Sequence, residues 1–184
     1  MILKIKGMVC RHCIEAVTDL LVSAGLTVKD VTLGSAEIEE TLDDDALRML
    51  DSLLAAKGFS RPVSQDEDTV ERIKRAVIKH VRQADRCRLN LSACLEEHLH
   101  IPYDTLSRIF SSLEGRTVEK YQIAQRVEWV KELLGYGEMT VSEIADYTGY
   151  SSAAHLSRQF KSVTGLTPTE YLRATASRRP LNEV

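Results

Sequence analysis

Two thiols stand two residues apart in Gly7-Met8-Val9-Cys10-Arg11-His12-Cys13, between a stretch that alternates apolar and basic residues and a stretch with helical spacing. A Cys-x-x-Cys at such a junction puts one thiol in a loop and the other near a helix amino terminus. The helix dipole and the neighbouring Arg11 then favour thiolate. Two convergent thiolates suit a soft ion such as Cu(I), whereas Zn(II) would want four ligands and finds too few here. The same pair could serve as a thiol–disulfide switch, and the segment could also be a module for dimerisation or partner binding. All three roles stay open. His12 is expected to be an electrostatic neighbour rather than a ligand. Cys87 and Cys94 have no partners at metal spacing and are expected to be structural, Cys94 at a core position.

A second constellation lies in the carboxy-terminal half. From Ser151 to Val163, Leu156, Phe160 and Val163 recur at i, i+4 and i+7, which predicts a helix with these three in its core. At 100° per residue the opposite face carries Ser151, Ala154, His155, Arg158, Lys161 and Ser162, small or basic residues with no acid among them. Such a face can enter a major groove, where an arginine forks to guanine and small residues permit close approach. Ser142-Glu143-Ile144-Ala145 opens a preceding short helix, and Gly149 marks the turn.

This arrangement occurs twice. Sliding the chain by 50 places superposes Asn90–Tyr121 on Thr140–Tyr171 and makes nine residues identical, among them Ser107/Ser157, Arg108/Arg158, Phe110/Phe160, Gly115/Gly165 and Tyr121/Tyr171. One helical module is therefore built twice. In the first copy Leu106, Phe110 and Leu113 are expected in the core, with Asp104, Thr105, Arg108, Ser111 and Ser112 exposed. Val118–Leu134 predicts a bridging helix long enough to hold two such helices in successive major grooves.

The elements ahead of the repeat differ in period. Ile2–Lys6 alternates as a strand, and Ile14, Val17, Leu20 and Leu21 mark a helix closed by Gly25. Val28–Leu33 and Ala36–Glu40 form a hairpin about Gly34-Ser35. Asp43-Asp44-Asp45 starts a second helix, with Leu47, Leu50, Leu53 and Leu54 buried, and a last short strand falls around Phe59. The expectation is a ferredoxin-like βαββαβ sandwich over residues 1–65. The polar, acidic Ser64–Thr69 is expected to be the boundary to an all-α domain over 66–184, whose first helix runs from Val70 to Ala84.

The chain has 184 residues, 43% of them hydrophobic and 28% charged, enough to bury real cores. Neither a signal peptide nor an apolar run of the ~20 residues that span a bilayer is evident, so a cytosolic protein with reduced cysteines is expected. Charge gives nucleic-acid binding no bulk help, with 24 basic against 27 acidic residues. The first 65 residues hold seven basic and ten acidic side chains, leaving 17 of each for the rest. Binding to DNA must then rest on a local stripe and on specific contacts.

The run Ser142-Glu143-Ile144-Ala145, Gly149-Tyr150, His155-Leu156-Ser157-Arg158-Gln159-Phe160-Lys161, Gly165, Thr167-Pro168 and Tyr171 resembles the second helix-turn-helix of the AraC family of transcription regulators. The resemblance extends over roughly Val70–Ala174, including Arg126 and Leu133-Leu134 of the bridging helix. It implies double-stranded DNA as partner, with contacts from Asp104, Ser107 and Arg108 in the first copy and Ala154, His155, Arg158 and Lys161 in the second. RNA polymerase and a second copy of the chain are further candidate partners. The first copy departs from the pattern at His100-Ile101-Pro102-Tyr103-Asp104, and Asp104 would repel phosphate unless it accepts a bond from cytosine. That copy is expected to clamp the backbone. Residues 2–63, with Gly7-Met8-Val9-Cys10-Arg11-His12-Cys13, resemble the heavy-metal-associated domain of copper chaperones and metal-pumping ATPases, which implies Cu(I) at Cys10 and Cys13. A nucleotide loop, catalytic triad or paired acid site does not stand out, and the cysteines are too few for the zinc site of AraC-type repair fusions, so an enzyme is not expected. The competing role for the repeat is a helical adaptor that does not bind DNA.

Overall fold

The computed structural model describes residues 1–82 and 90–176. They fall into two compact units, one of Met1–Ala76 with Leu95–Gly115, the other of the described parts of Val77–Cys94 and Arg116–Val184.

The first unit begins β1 (Ile2–Lys4), α1 (Arg11–Ser23), β2 (Val28–Thr32), β3 (Ser35–Ile38) and α2 (Asp44–Ala56). The strands form an antiparallel sheet in the order β1-β3-β2. The fourth strand expected around Phe59 reduces to one isolated bridge, Lys6 with Ser60. The observed succession is therefore βαββα with a three-stranded sheet, not the expected βαββαβ. After Gly58 the chain meets the sheet for too short a distance to form a ladder, because Pro62 soon removes a donor. Leu3, Ile5, Ala36 and Ile38 point from the sheet into one core with Val17, Leu20 and Leu21 of α1 and Leu50 and Leu54 of α2. Asp43 caps α2, its Oδ1 accepting the Ala46 N–H at 2.8 Å. Gly25 takes φ +80 just past α1, the left-handed conformation that glycine enters without steric cost.

The acidic segment expected as a linker is helical. α3 (Gln65–Arg82) starts there, and Ser64 Oγ accepts the Glu67 N–H. Asp68, Thr69 and Glu71 are buried. The alternation of β1 explains why acids tolerate this position. While Leu3 and Ile5 enter the core, Lys4 and Lys6 leave the other face, and their ammonium groups meet Asp68 Oδ2 at 2.6 Å and Glu67 Oε2 at 3.0 Å. Residue Ala84, the expected end of this helix, and Cys87 lie outside the described residues; Cys94 is half-buried.

The first copy of the repeat follows as α4 (Leu91–Leu99) and α5 (Tyr103–Glu114). Later come α6 (Val118–Tyr136), α7 (Val141–Tyr147), α8 (Ala153–Thr164) and α9 (Pro168–Ala176). In the second unit Leu156 and Phe160 of α8 pack with Ile144 and Ala145 of α7, Tyr150, and Val127, Val130 and Leu134 of α6. Among the described residues no helix is long and apolar enough to cross a membrane.

Candidate nucleic-acid interface and thiol loop

Repeated residues do repeated work in the two modules. Leu106 and Phe110 are fully buried in α5, as are Leu156 and Phe160 in α8. Gly115 and Gly165 end their helices at φ +65 and +82. Thr117 and Thr167 cap the helices that follow, accepting the N–H groups of Lys120 and Glu170. Two expected core residues are instead at the surface: Leu113 is 49% exposed and Val163 46%. Both sit on the last turn before the terminal glycine. There the apolar stripe outruns its core, and Leu113 borders a polar cavity of about 100 Å³ shared with Lys6, Glu67, Glu71 and Glu114.

The second module is tightly framed. Thr140 and Glu143 form a reciprocal capping box at α7. Gly149 turns the chain at φ +73, and the Tyr150 N–H returns to the Ala145 carbonyl at 2.8 Å. Ser152 caps α8, its Oγ accepting the His155 N–H at 3.1 Å. The exposed face then presents Ala154, Arg158, Lys161 and Ser162, with His155 and Ser157 half-buried at its flanks. Among the described residues neither Arg108 nor Arg158 forms an ion pair, which leaves both guanidinium groups available to a ligand.

In the first module the turn falls on His100, a non-glycine residue at φ +56. The Glu96 carboxylate accepts the Tyr103 N–H at 2.6 Å and fastens the start of α5. Asp104 lies exposed in the first turn of α5, where its charge suits the helix dipole. Arg108 is exposed one turn on, and Ser107 is half-buried beside it.

In the first unit, Cys10 occupies the N-cap of α1 and Cys13 its first turn, with the two sulfurs 3.5 Å apart. Burial pushes the Cys13 thiol up, but hydrogen bonds from the backbone of Val9 and Cys10 and from the Cys10 side chain outweigh it, so its pKa is lowered. Arg11, expected to help, is exposed and pairs instead with Glu15 at 3.4 Å. Met8 is buried and pins the loop to the core, while Val9, Cys10 and His12 are exposed. Among the described residues no group of three or more His, Cys, Asp or Glu side chains could hold a metal ion. The donor set is thus two sulfurs, which fits a soft monovalent ion of low coordination number and does not fit tetrahedral Zn(II).

Sequence reasoning missed an ion chain that starts at this loop. The Gly7 N–H donates to Glu71 Oε2 at 3.1 Å, Lys74 Nζ meets Glu71 Oε1 at 3.0 Å, and the same ammonium meets Glu114 Oε1, at the end of α5, at 2.7 Å. The only signal for it was the acidic cluster at 66–71 opposite the basic alternation of β1.

Comparison with known proteins centres on the helical part. A family model described as a helix-turn-helix domain matches residues 95–174. The C-terminal domain of AraT, a response regulator from Geobacillus stearothermophilus, is 30% identical, over 60% of this chain and 88% of that domain, with a TM-score of 0.52. The DNA-binding domain of AdpA, solved in complex with a target DNA, is 25% identical over 61% of this chain and 97% of that one, with a TM-score of 0.52. The probable transcriptional regulator LumQ of Photobacterium leiognathi is 24% identical over 143 residues, 77% of this chain. The chain spans 57% of LumQ's length. With its doubled module, capped and turned as described, and its likeness to AraT over most of that domain, the chain belongs to the AraC family of helix-turn-helix DNA-binding regulators.

Proposed function

We propose that this chain is a sequence-specific DNA-binding transcription regulator whose two modules contribute unequally. The observation that carries this is the exposed face of α8, where Ala154, Arg158, Lys161 and Ser162 include no acidic residue, on a helix fixed by the Leu156–Phe160 core. The DNA complex of AdpA supports double-stranded DNA as the partner. Arg158 forks to a base, and His155 and Ala154 read beside it. In the first module Asp104 beside Arg108 and Ser107 makes a poorer reader, so Arg108 contributes mainly phosphate attraction. The test is a gel-shift titration over a panel of single-base variants of a selected site. Arg158→Ala should cost ~1–3 kcal/mol and relax preference at one position, while Arg108→Ala should weaken all variants alike. An Arg158→Ala protein with unchanged preferences would contradict the assignment.

The amino-terminal residues are proposed to hold a soft monovalent metal, Cu(I) being the expected ion, between Cys10 and Cys13, and to report its presence to the first module. The bound ion would supply a thiophilic charge centre at the start of α1. The low Cys13 pKa supports the site, and the ion chain Gly7–Glu71–Lys74–Glu114 supports a route to α5. The close sulfurs also favour a second role as a dithiol–disulfide switch. Competitive Cu(I) titration of wild type and the Cys10→Ser/Cys13→Ser protein separates the two, since only the metal role requires stoichiometric uptake under reducing conditions.

A further inference from the structure

We infer that Ser151 and Tyr150 are positioning residues for His155, holding its imidazole so that Nε2 is the ring atom offered to a base edge. This rests on the DNA-binding function proposed above and adds to it a second layer behind the reading face.

His155 lies in the first turn of α8, between Ala154 and Arg158 on the exposed side. A half-exposed imidazole on a helix ordinarily rotates about two bonds and loses that freedom only on binding, at a cost in affinity. Here the freedom is already restricted. Ser151 Oγ lies 3.0 Å from His155 Nδ1, and the Tyr150 ring meets the imidazole edge-on, 5.3 Å between centroids at 89°. Tyr150 is in turn fixed: it is only 4% exposed, and the Arg126 guanidinium of α6 stands over its ring at 5.3 Å. The order of support therefore runs from α6 through Arg126 and Tyr150 to His155, with Ser151 closing the other nitrogen.

The serine hydroxyl can donate to Nδ1 or accept from it. If it donates, Nε2 carries the hydrogen and suits acceptors such as guanine O6 and N7 or thymine O4. If it accepts, Nε2 is the acceptor and suits the amino groups of adenine or cytosine. Ser151 thus steadies the ring without fixing its hydrogen-bonding sense. The base pair beneath His155 should be discriminated less sharply than the one beneath Arg158, whose guanidinium only donates.

The experiment titrates the full-length chain against all single-base variants of its selected site. The proteins are wild type, Ser151→Ala, Ser151→Thr, His155→Ala, the Ser151→Ala/His155→Ala double variant and Tyr150→Leu. Ser151→Ala should lose about 3- to 10-fold in affinity for the preferred base at one position only. Ser151→Thr should restore it, and the double variant should bind like His155→Ala alone. Tyr150→Leu removes the ring edge and should lose affinity at the same single position as Ser151→Ala; a Tyr150→Leu protein with unchanged preference there would remove Tyr150 from the inference. Additive losses would mean that Ser151 touches DNA itself, and a uniform loss at every position would mean a merely structural role; either overturns the inference, as does an unaffected Ser151→Ala. A wild-type chain that selects no site would remove the DNA-binding function as well, whereas a selected site indifferent to His155→Ala would remove this inference alone.

Discussion

Replacing Lys74 by methionine should destabilise the first unit by about 2–3 kcal/mol, more than most single surface changes. The ammonium is shared by Glu71 and Glu114, and the three side chains are 21%, 7% and 21% exposed. Exposed ion pairs contribute ~0–1 kcal/mol, while stripping one partner from a buried pair costs ~3–5 kcal/mol, and this site lies between those limits. Burial by itself would depress the Lys74 pKa, yet hydrogen bonds to Glu114 and Glu71 overcome it and leave the pKa raised. The charged form is therefore favoured by folding, and its contribution persists below the unfolded value of 10.5, so it is present throughout the neutral range. Methionine keeps the stem and removes the charge, leaving two carboxylates facing the same small cavity with the Gly7 N–H as remaining donor to Glu71. Urea denaturation followed by circular dichroism should show the loss. The triple variant Lys74→Met/Glu71→Gln/Glu114→Gln should recover most of it, because neither carboxylate is then left without its ammonium. A loss under about 0.5 kcal/mol for Lys74→Met, or a triple variant weaker than the single one, would refute this account of how the thiol loop is fastened to α5.

Other perturbations address separate parts of the structure. Gly34→Ala should cost about 1–2 kcal/mol in thermal or chemical denaturation, since Gly34 sits at φ +91 and a Cβ there would lie 2.0 Å from Arg75 Nη1. His80 is half-buried, with Nδ1 unpartnered, and burial together with the nearby Arg126 lowers its pKa. The unfolded chain then takes up a proton that the fold resists, so this residue costs stability as pH falls below about 6.5 and nothing above it. Denaturation of His80→Gln at pH 7.5 and 5.5 should show a smaller acid loss than wild type. His100→Gly should raise the melting temperature by relieving a left-handed non-glycine turn, and a lowered one would mean the imidazole has partners that outweigh the strain.

The legible parts of this chain were those governed by local periodicity. Leu156 and Phe160 alternate with Arg158 in a way only one helical phase satisfies, and the copy at Leu106, Phe110 and Arg108 repeats it. The repeated Gly115/Gly165 and Thr117/Thr167 turn out to be the caps that end and start the module helices, a role the identities alone did not state. What escaped was decided by residues far apart in sequence. Leu113 and Val163 fit the stripe by angle, but a stripe cannot tell where the opposing surface stops. Asp66–Asp68 looked like a solvated linker because acids usually are; only the phase of β1, which aims Lys4 and Lys6 at α3, makes Glu67 and Asp68 docking residues. The fourth strand failed for the opposite reason, since a strand-like residue such as Phe59 gives no information on whether its neighbours can continue a ladder. The contact of Ser151 with His155 depends on a turn geometry that Gly149 hinted at without fixing.

The most direct measurement of the central claim is selection of bound duplexes from a random pool by the full-length chain, followed by sequencing, with wild type and Arg158→Ala run in parallel. The account predicts a discrete motif for wild type and, for Arg158→Ala, the same motif with one base-pair position relaxed. Recovery of no motif by wild type, or of identical motifs by both proteins, would contradict it.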